Sequence, residues 1–138
     1  MSVIKKDSKD AKYTQATGRR KEAIASVRLM AGSGKTQVNG LPLEQYFVTD
    51  LQRHPLKRPF TVTDTSGKFD VIARVVGGGK DAQSGAMQLA VSRALVKINA
   101  ELAPKLHEFH LLTRDPRMKE RKKYGKHGAR RGTQFSKR

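Results

Sequence analysis

Along the chain, Ala23, Ala25, Val27 and Leu29 alternate with Glu22, Ile24, Ser26 and Arg28. A period of two predicts a strand with one face toward a core. Gly32-Ser33-Gly34 breaks the pattern, and Thr36-Gln37-Val38 ahead of Asn39-Gly40 reads as a short return strand ending in a turn, so a first hairpin is expected here. Leu43, Tyr46 and Phe47 after Pro42 have helical spacing, and Leu51 to Leu56 predicts a further short helix that Pro59 stops. Thr61-Val62-Thr63 and Phe69 to Val76 flank Thr65-Ser66-Gly67-Lys68, and Phe69, Val71, Ala73 and Val75 share a face, which predicts a second hairpin.

After Gly77-Gly78-Gly79 the period changes. Met87, Ala90, Val91, Ala94, Leu95, Ile98 and Leu102 recur every three or four residues, the stripe of an amphipathic helix with Asp81 as its expected N-cap and an end near Pro104. Small residues in its early turns (Ala82, Ser84, Gly85, Ala86) allow close packing on a sheet. Two hairpins and a long helix predict an α+β fold, a mixed sheet with helices on one face.

Composition limits how much of the chain this core can hold. The 138 residues are 36% hydrophobic and 6% aromatic, enough for one small domain built on aliphatic side chains. With no cysteine there is no disulfide framework, thiolate metal site or cysteine nucleophile. The expectation is an intracellular, soluble protein with no membrane partner, since no apolar run approaches the roughly 20 residues of a membrane span and Met1 to Asp10 reads as no signal segment.

Charge then separates the parts. Lys and Arg number 29 against 12 Asp and Glu, a net +17 that points to a polyanionic partner. Residues 114–138 hold eleven of those cations and only two acids, Asp115 and Glu120. Beyond Met118 the apolar side chains are Tyr124, Ala129 and Phe135, too few to offset the entropy of ordering the segment, so a tail that is disordered alone in solution and orders on a nucleic acid is expected. The organisation read from the sequence is a basic N-terminal extension (1–13), a globular domain (14–113), which the resemblance given below makes an RNA-binding one, and a basic C-terminal tail (114–138), with Asp115-Pro116 at the edge.

Motifs for catalysis fail on spacing. Gly32-Ser33-Gly34-Lys35-Thr36 resembles the end of a phosphate-binding P-loop, yet Leu29 stands where the first glycine belongs and a turn follows instead of a helix. Gly77, Gly79 and Ala82 fit a dinucleotide fingerprint, but Glu101 falls at the same helix's end rather than on a second parallel strand. The same physics offers a simpler reading, a glycine-led helix start with Lys80 beside it as a site for an RNA phosphate. His107 and His110 around Glu108 miss the spacing of a zinc helix by one residue. No enzyme and no cofactor is expected, and the readings that compete with an RNA-binding structural protein are a small architectural DNA binder and, distantly, a nucleotide enzyme.

Residues 16–29 (ATGRRKEAIASVRL), 39–47 (NGLPLEQYF), 71–79 (VIARVVGGG), 111–117 (LLTRDPR) and above all 119–138 (KERKKYGKHGARRGTQFSKR) resemble the bacterial family of small-ribosomal-subunit protein nine. The resemblance implies a four-stranded sheet with helices on one face, like the second domain of small-subunit ribosomal protein five, plus a long C-terminal extension. It implies a structural protein of the small-subunit head in the cytoplasm, bound to ribosomal RNA beside neighbouring head proteins and not a homo-oligomer. Carried across, Arg19, Arg20 and Lys21 become ribosomal-RNA contacts, as do Arg114, Arg117, Lys119, Arg121, Lys122, Lys123, Lys126, Arg130 and Arg131, with Lys80 added from the helix start. Ser136, Lys137 and Arg138 become a tip facing the anticodon stem-loop of peptidyl-site tRNA.

Overall fold

The computed structural model describes residues 12–137; most of the expected N-terminal extension (1–11) and Arg138 lie outside the described residues. Five strands, Thr14–Arg20 (β1), Ala23–Ala31 (β2), Thr36–Val38 (β3), Leu41–Pro42 (β4) and Phe69–Val76 (β5), form one sheet in the order β1-β2-β5-β3-β4. The helices are Leu43–Tyr46 (α1), Asp50–Val62 (α2), Lys80–Ile98 (α3) and Ala103–Glu108 (α4), with a 3-10 turn at Ala100–Leu102. The expected α+β class holds. The sheet has one strand more than the four expected, because the Asn39-Gly40 turn folds back a two-residue β4 onto β3.

Both expected hairpins have the wrong partners. β2 pairs antiparallel with β1 across the Lys21-Glu22 turn, while β3 lies beside β5 in parallel, Thr36 opposite Val71 and Val38 opposite Ala73. Local reading fails here because β5, more than 30 residues further on, takes the place next to β2, with Val27 opposite Ala73. Thr61-Val62-Thr63 is no strand: Val62 ends α2, and Thr63 closes it by giving its N–H (3.2 Å) and hydroxyl (2.8 Å) to the Pro59 carbonyl. Nor does Pro59 stop that helix. Pro55 and Pro59 both lie inside α2, which packs on α3 with Leu56 and Pro59 buried, so tertiary burial overrides local propensity.

Inward strand positions Ala23, Ala25, Val27, Leu29, Val71, Ala73 and Val75 meet α3 residues Ala86, Met87, Ala90, Val91, Ala94 and Leu95 in one core. Phe47 is its largest fully buried side chain, set edge-on to Tyr46 at 4.9 Å, and its burial contributes about 2–3 kcal/mol. Helix α3 begins where expected, but Gly79 and not Asp81 is its N-cap; Asp81 sits in the first turn and accepts from Gln52 Nε2 at 3.0 Å. Its end comes at Ile98, before the expected Pro104, which instead lies in the first turn of α4. Gly77 and Gly78, at φ +74° and +63°, turn the chain from β5 into α3 over Glu22 and Ala23 in a conformation that side chains resist.

Both sheet edges carry features that disfavour further pairing. On β1 the carbonyls of Thr17 and Gln15 accept from Arg93 Nη1 (2.8 Å) and Lys97 Nζ (2.7 Å), cations that α3 sends down over the edge. At the far edge Pro42 removes a donor from β4. Among the described residues no helix is long and apolar enough to cross a membrane.

Candidate nucleic-acid interface

The P-loop-like segment is a real nest of amide donors, and its occupant is internal. Backbone N–H groups of Ser33, Gly34 and Lys35 converge on one carboxylate oxygen of Asp70 at 2.9, 3.0 and 2.9 Å. The Lys35 amide, with those of Ser33 and Gly34 and the Lys35 charge, holds the Asp70 carboxyl below its usual range against a partial desolvation. A depressed pKa means that the clamp is complete above the ordinary carboxylate value of 3.8 and is lost only as pH falls through the lower folded value. In an acid titration followed by NMR, the Ser33, Gly34 and Lys35 amide resonances are expected to shift together with a midpoint below 3.8. A midpoint at or above that value would refute the clamp.

The expected contact residues divide into three settings. Arg19 is exposed on the outer face of β1, Lys21 is exposed in the β1–β2 turn at φ +50°, and Arg20 between them turns inward, half-buried against Gly85. A Cβ on Gly85 would lie 2.7 Å from Arg20 Nη1, so the missing side chain is what admits the guanidinium. Arg19, Arg20, Gln88, His110, Asp115 and Arg117 line a polar cleft of about 230 Å³ where the chain leaves the body.

Asp115 organises that exit. Its carboxylate accepts from Arg117 Nε (3.0 Å), Nη2 (2.7 Å) and backbone N–H (3.0 Å), and lies 3.7 Å from Arg20 Nη2. These Arg117 hydrogen bonds, with the Arg20 charge added, hold it well below the carboxylate range, and they raise Arg117 in turn. Two expected RNA contacts are thus joined by an internal anion, while Arg20 Nε is buried without a partner.

The second setting is the start of α3. Lys80 Nζ lies 3.2 Å from the centre of the Tyr46 ring, whose hydroxyl donates to Gln83 Oε1 at 2.7 Å. Lys80 is thus set against an aromatic ring beside the helix start that its sequence marks for a phosphate.

The third setting is the tail. Between Leu112 and Lys137 the described chain has neither helix nor strand. Glu120 gathers Lys123 and Arg130 (3.0 Å) around a turn at Gly125 in which the Lys126 N–H donates to the Lys123 carbonyl at 3.3 Å, and the His127 N–H donates to the Arg131 carbonyl at 2.8 Å in the loop that follows. Among the described residues Arg114, Lys119, Arg121, Lys122, Lys126, Arg131 and Lys137 are exposed and form no ion pair. Tyr124 and Phe135 are 94% and 89% exposed, aromatic faces set among cations. Ser136 and Lys137 are exposed, and Arg138 lies outside the described residues. Exposed guanidinium forks and ammonium groups with aromatic faces between them are chemistry for phosphates and bases.

The family model for ribosomal protein S9/S16 matches residues 18–138, which is nearly the whole chain and all of this tail. The chain belongs to the S9/S16 family of ribosomal proteins. As a member, it is a structural, non-enzymatic constituent of the ribosome that binds ribosomal RNA and other ribosomal proteins. The match begins at Gly18, where β1 meets α3, so it spans the Arg19–Lys21 turn, the exit cleft and the cationic tail. Two cations of the matched body that the sequence reading passed over, Arg28 and Arg74, stand on outward strand positions beside Arg19. The period-two pattern was the signal that could have found them.

Proposed function

We propose that this S9/S16 protein is a bacterial nine-type member of the small-subunit head in the cytoplasm, and that its three regions divide the work. The globular body (14–113) seats on ribosomal RNA through Arg19, Arg20 and Lys21, with Lys80 at the helix start. In the tail (114–138), Arg114, Arg117, Lys119, Arg121, Lys122, Lys123, Lys126, Arg130 and Arg131 follow the RNA backbone and order on it. Ser136, Lys137 and Arg138 reach the anticodon stem-loop of peptidyl-site tRNA, and the N-terminal extension (1–13) is an accessory basic flank. The observation that carries this reading is the run of exposed, unpaired cations on chain without helix or strand. Edge features that disfavour strand pairing on both sides of the sheet support a monomer among neighbouring head proteins.

Geometry allows a separate partner at the tip. Extended chain rises about 3.3 Å per residue, so the steps from Gly125 to the last residue span roughly 40 Å. Deleting residues 136–138 removes two of eleven tail cations, so assembly into subunits is expected to stay near normal. Peptidyl-site tRNA is expected to bind roughly thirtyfold more weakly, the equivalent of one charge-assisted contact of about 2 kcal/mol. Unchanged tRNA affinity of purified deletion subunits would refute the tip assignment.

A further inference from the structure

The face of the sheet turned away from α3 carries no helix among the described residues. Strand alternation puts Arg19, Arg28 and Arg74 there, one on each of β1, β2 and β5, with the half-exposed Ile24, Ile72 and Val76 between them. Register fixes their spacing. Arg74 faces Ser26, two residues from Arg28, and Arg19 faces Ile24, which faces Val76. With strands about 4.8 Å apart and about 3.4 Å per residue, the three Cα positions form a triangle with sides of roughly 8 to 14 Å.

None of the three arginines forms an ion pair among the described residues. Asp70, the acid at the margin of this face, already accepts three backbone N–H groups. Arg28 is held in place by its guanidinium lying 5.0 Å from the centre of the Tyr13 ring, which leaves the donor edge of the fork for a ligand. The face is therefore cationic, open and, at Arg28, held in place, and Asp70, the carboxylate on its described strands, is already engaged by backbone N–H groups.

We propose that this open sheet face is a second RNA-binding surface, distinct from the tail, which takes the backbone of double-helical RNA. The proposal rests on the ribosomal-RNA reading above and adds Arg28 and Arg74 to it. A duplex fits better than splayed bases, because the aromatic ring that the described residues place on this face, Tyr13, already stacks on Arg28. A wide, shallow minor groove presents phosphates and riboses to a flat surface, with the arginines on the phosphates and Ile24, Ile72 and Val76 against ribose edges. Charge complementarity favours RNA over a protein partner, which would need a run of acids to match three clustered guanidinium groups.

The test uses the full chain, its own small-subunit ribosomal RNA as probe, and the double variant Arg28→Gln/Arg74→Gln. Both positions are exposed, so thermal unfolding is expected to match the parent. Affinity is expected to drop at least tenfold near 100 mM salt, and the slope of log affinity against log salt to flatten by about two units, one per lost phosphate contact. An unchanged slope with unchanged affinity would overturn the second surface and leave the tail reading intact. Failure of the parent chain itself to bind the RNA would refute the ribosomal-RNA reading instead. A photo-crosslinker at Ile72 in assembled subunits is a second, folding-independent readout: capture of RNA is expected, and capture of protein alone would overturn the proposal.

Discussion

A Gly18→Ala variant is expected to lose about 3 kcal/mol or more of folding stability. Gly18 is on β1 where the strand crosses α3, and a Cβ there would overlap the Ala86 carbonyl oxygen and lie 2.5 Å from the Ala90 backbone nitrogen. Both obstacles are backbone, so no rotamer change relieves them; strand and helix must separate, and the Ala16, Ala86 and Ala90 packing with them. For a domain of this size such a loss lowers the melting temperature by roughly 15 °C. Gly79→Ser serves as the control, since a Cβ at Gly79 meets nothing within 4 Å and a serine is a favoured N-cap. Thermal unfolding by circular dichroism reads both. A Gly18→Ala melting point within 2–3 °C of the parent, below the shift of even 1 kcal/mol, would contradict the close approach.

The same position shows why the sequence hid part of the fold. Strand β1 buries Ala16 and Gly18, and those are too small to mark an apolar alternation, so the strand that pairs with β2 was invisible while β2 itself was plain. Helix α3 was legible because its stripe of Met87, Ala90, Val91, Ala94 and Leu95 follows from local periodicity. The parallel pairing of β3 with β5 joins segments more than 30 residues apart, and no local pattern encodes such a partner. In the candidate interface, the tail cations were legible from charge alone. Asp115 as the anion joining Arg20 to Arg117 was not, since that depends on the tail folding back to β1.

Removing residues 118–138 is expected to lower affinity for small-subunit ribosomal RNA by at least a thousandfold at moderate salt, with the body still folded. The deletion takes nine cations and one acid, Glu120. It takes no helix, no strand and no fully buried side chain among the described residues, so folding stability is expected to change by less than about 0.5 kcal/mol. Arg19, Arg20, Lys21, Arg114 and Arg117 remain, with Asp115 still joining Arg20 to Arg117, and residual binding through the body is expected. Filter binding at fixed salt measures the loss, and a loss below tenfold would show that the tail is not the principal RNA-binding element.

Salt dependence tests the central claim most directly, because cations that neutralise phosphates release condensed counterions. The measurement is log affinity against log salt for the full chain and for the chain ending at Arg117, on the same ribosomal RNA. If about half of the removed cations engage phosphates, the full chain is expected to be steeper by roughly four units, with a shallower but non-zero slope left to the body. Parallel lines for the two chains, or slopes near zero for both, would contradict a ribosomal-RNA contact carried by the cationic tail.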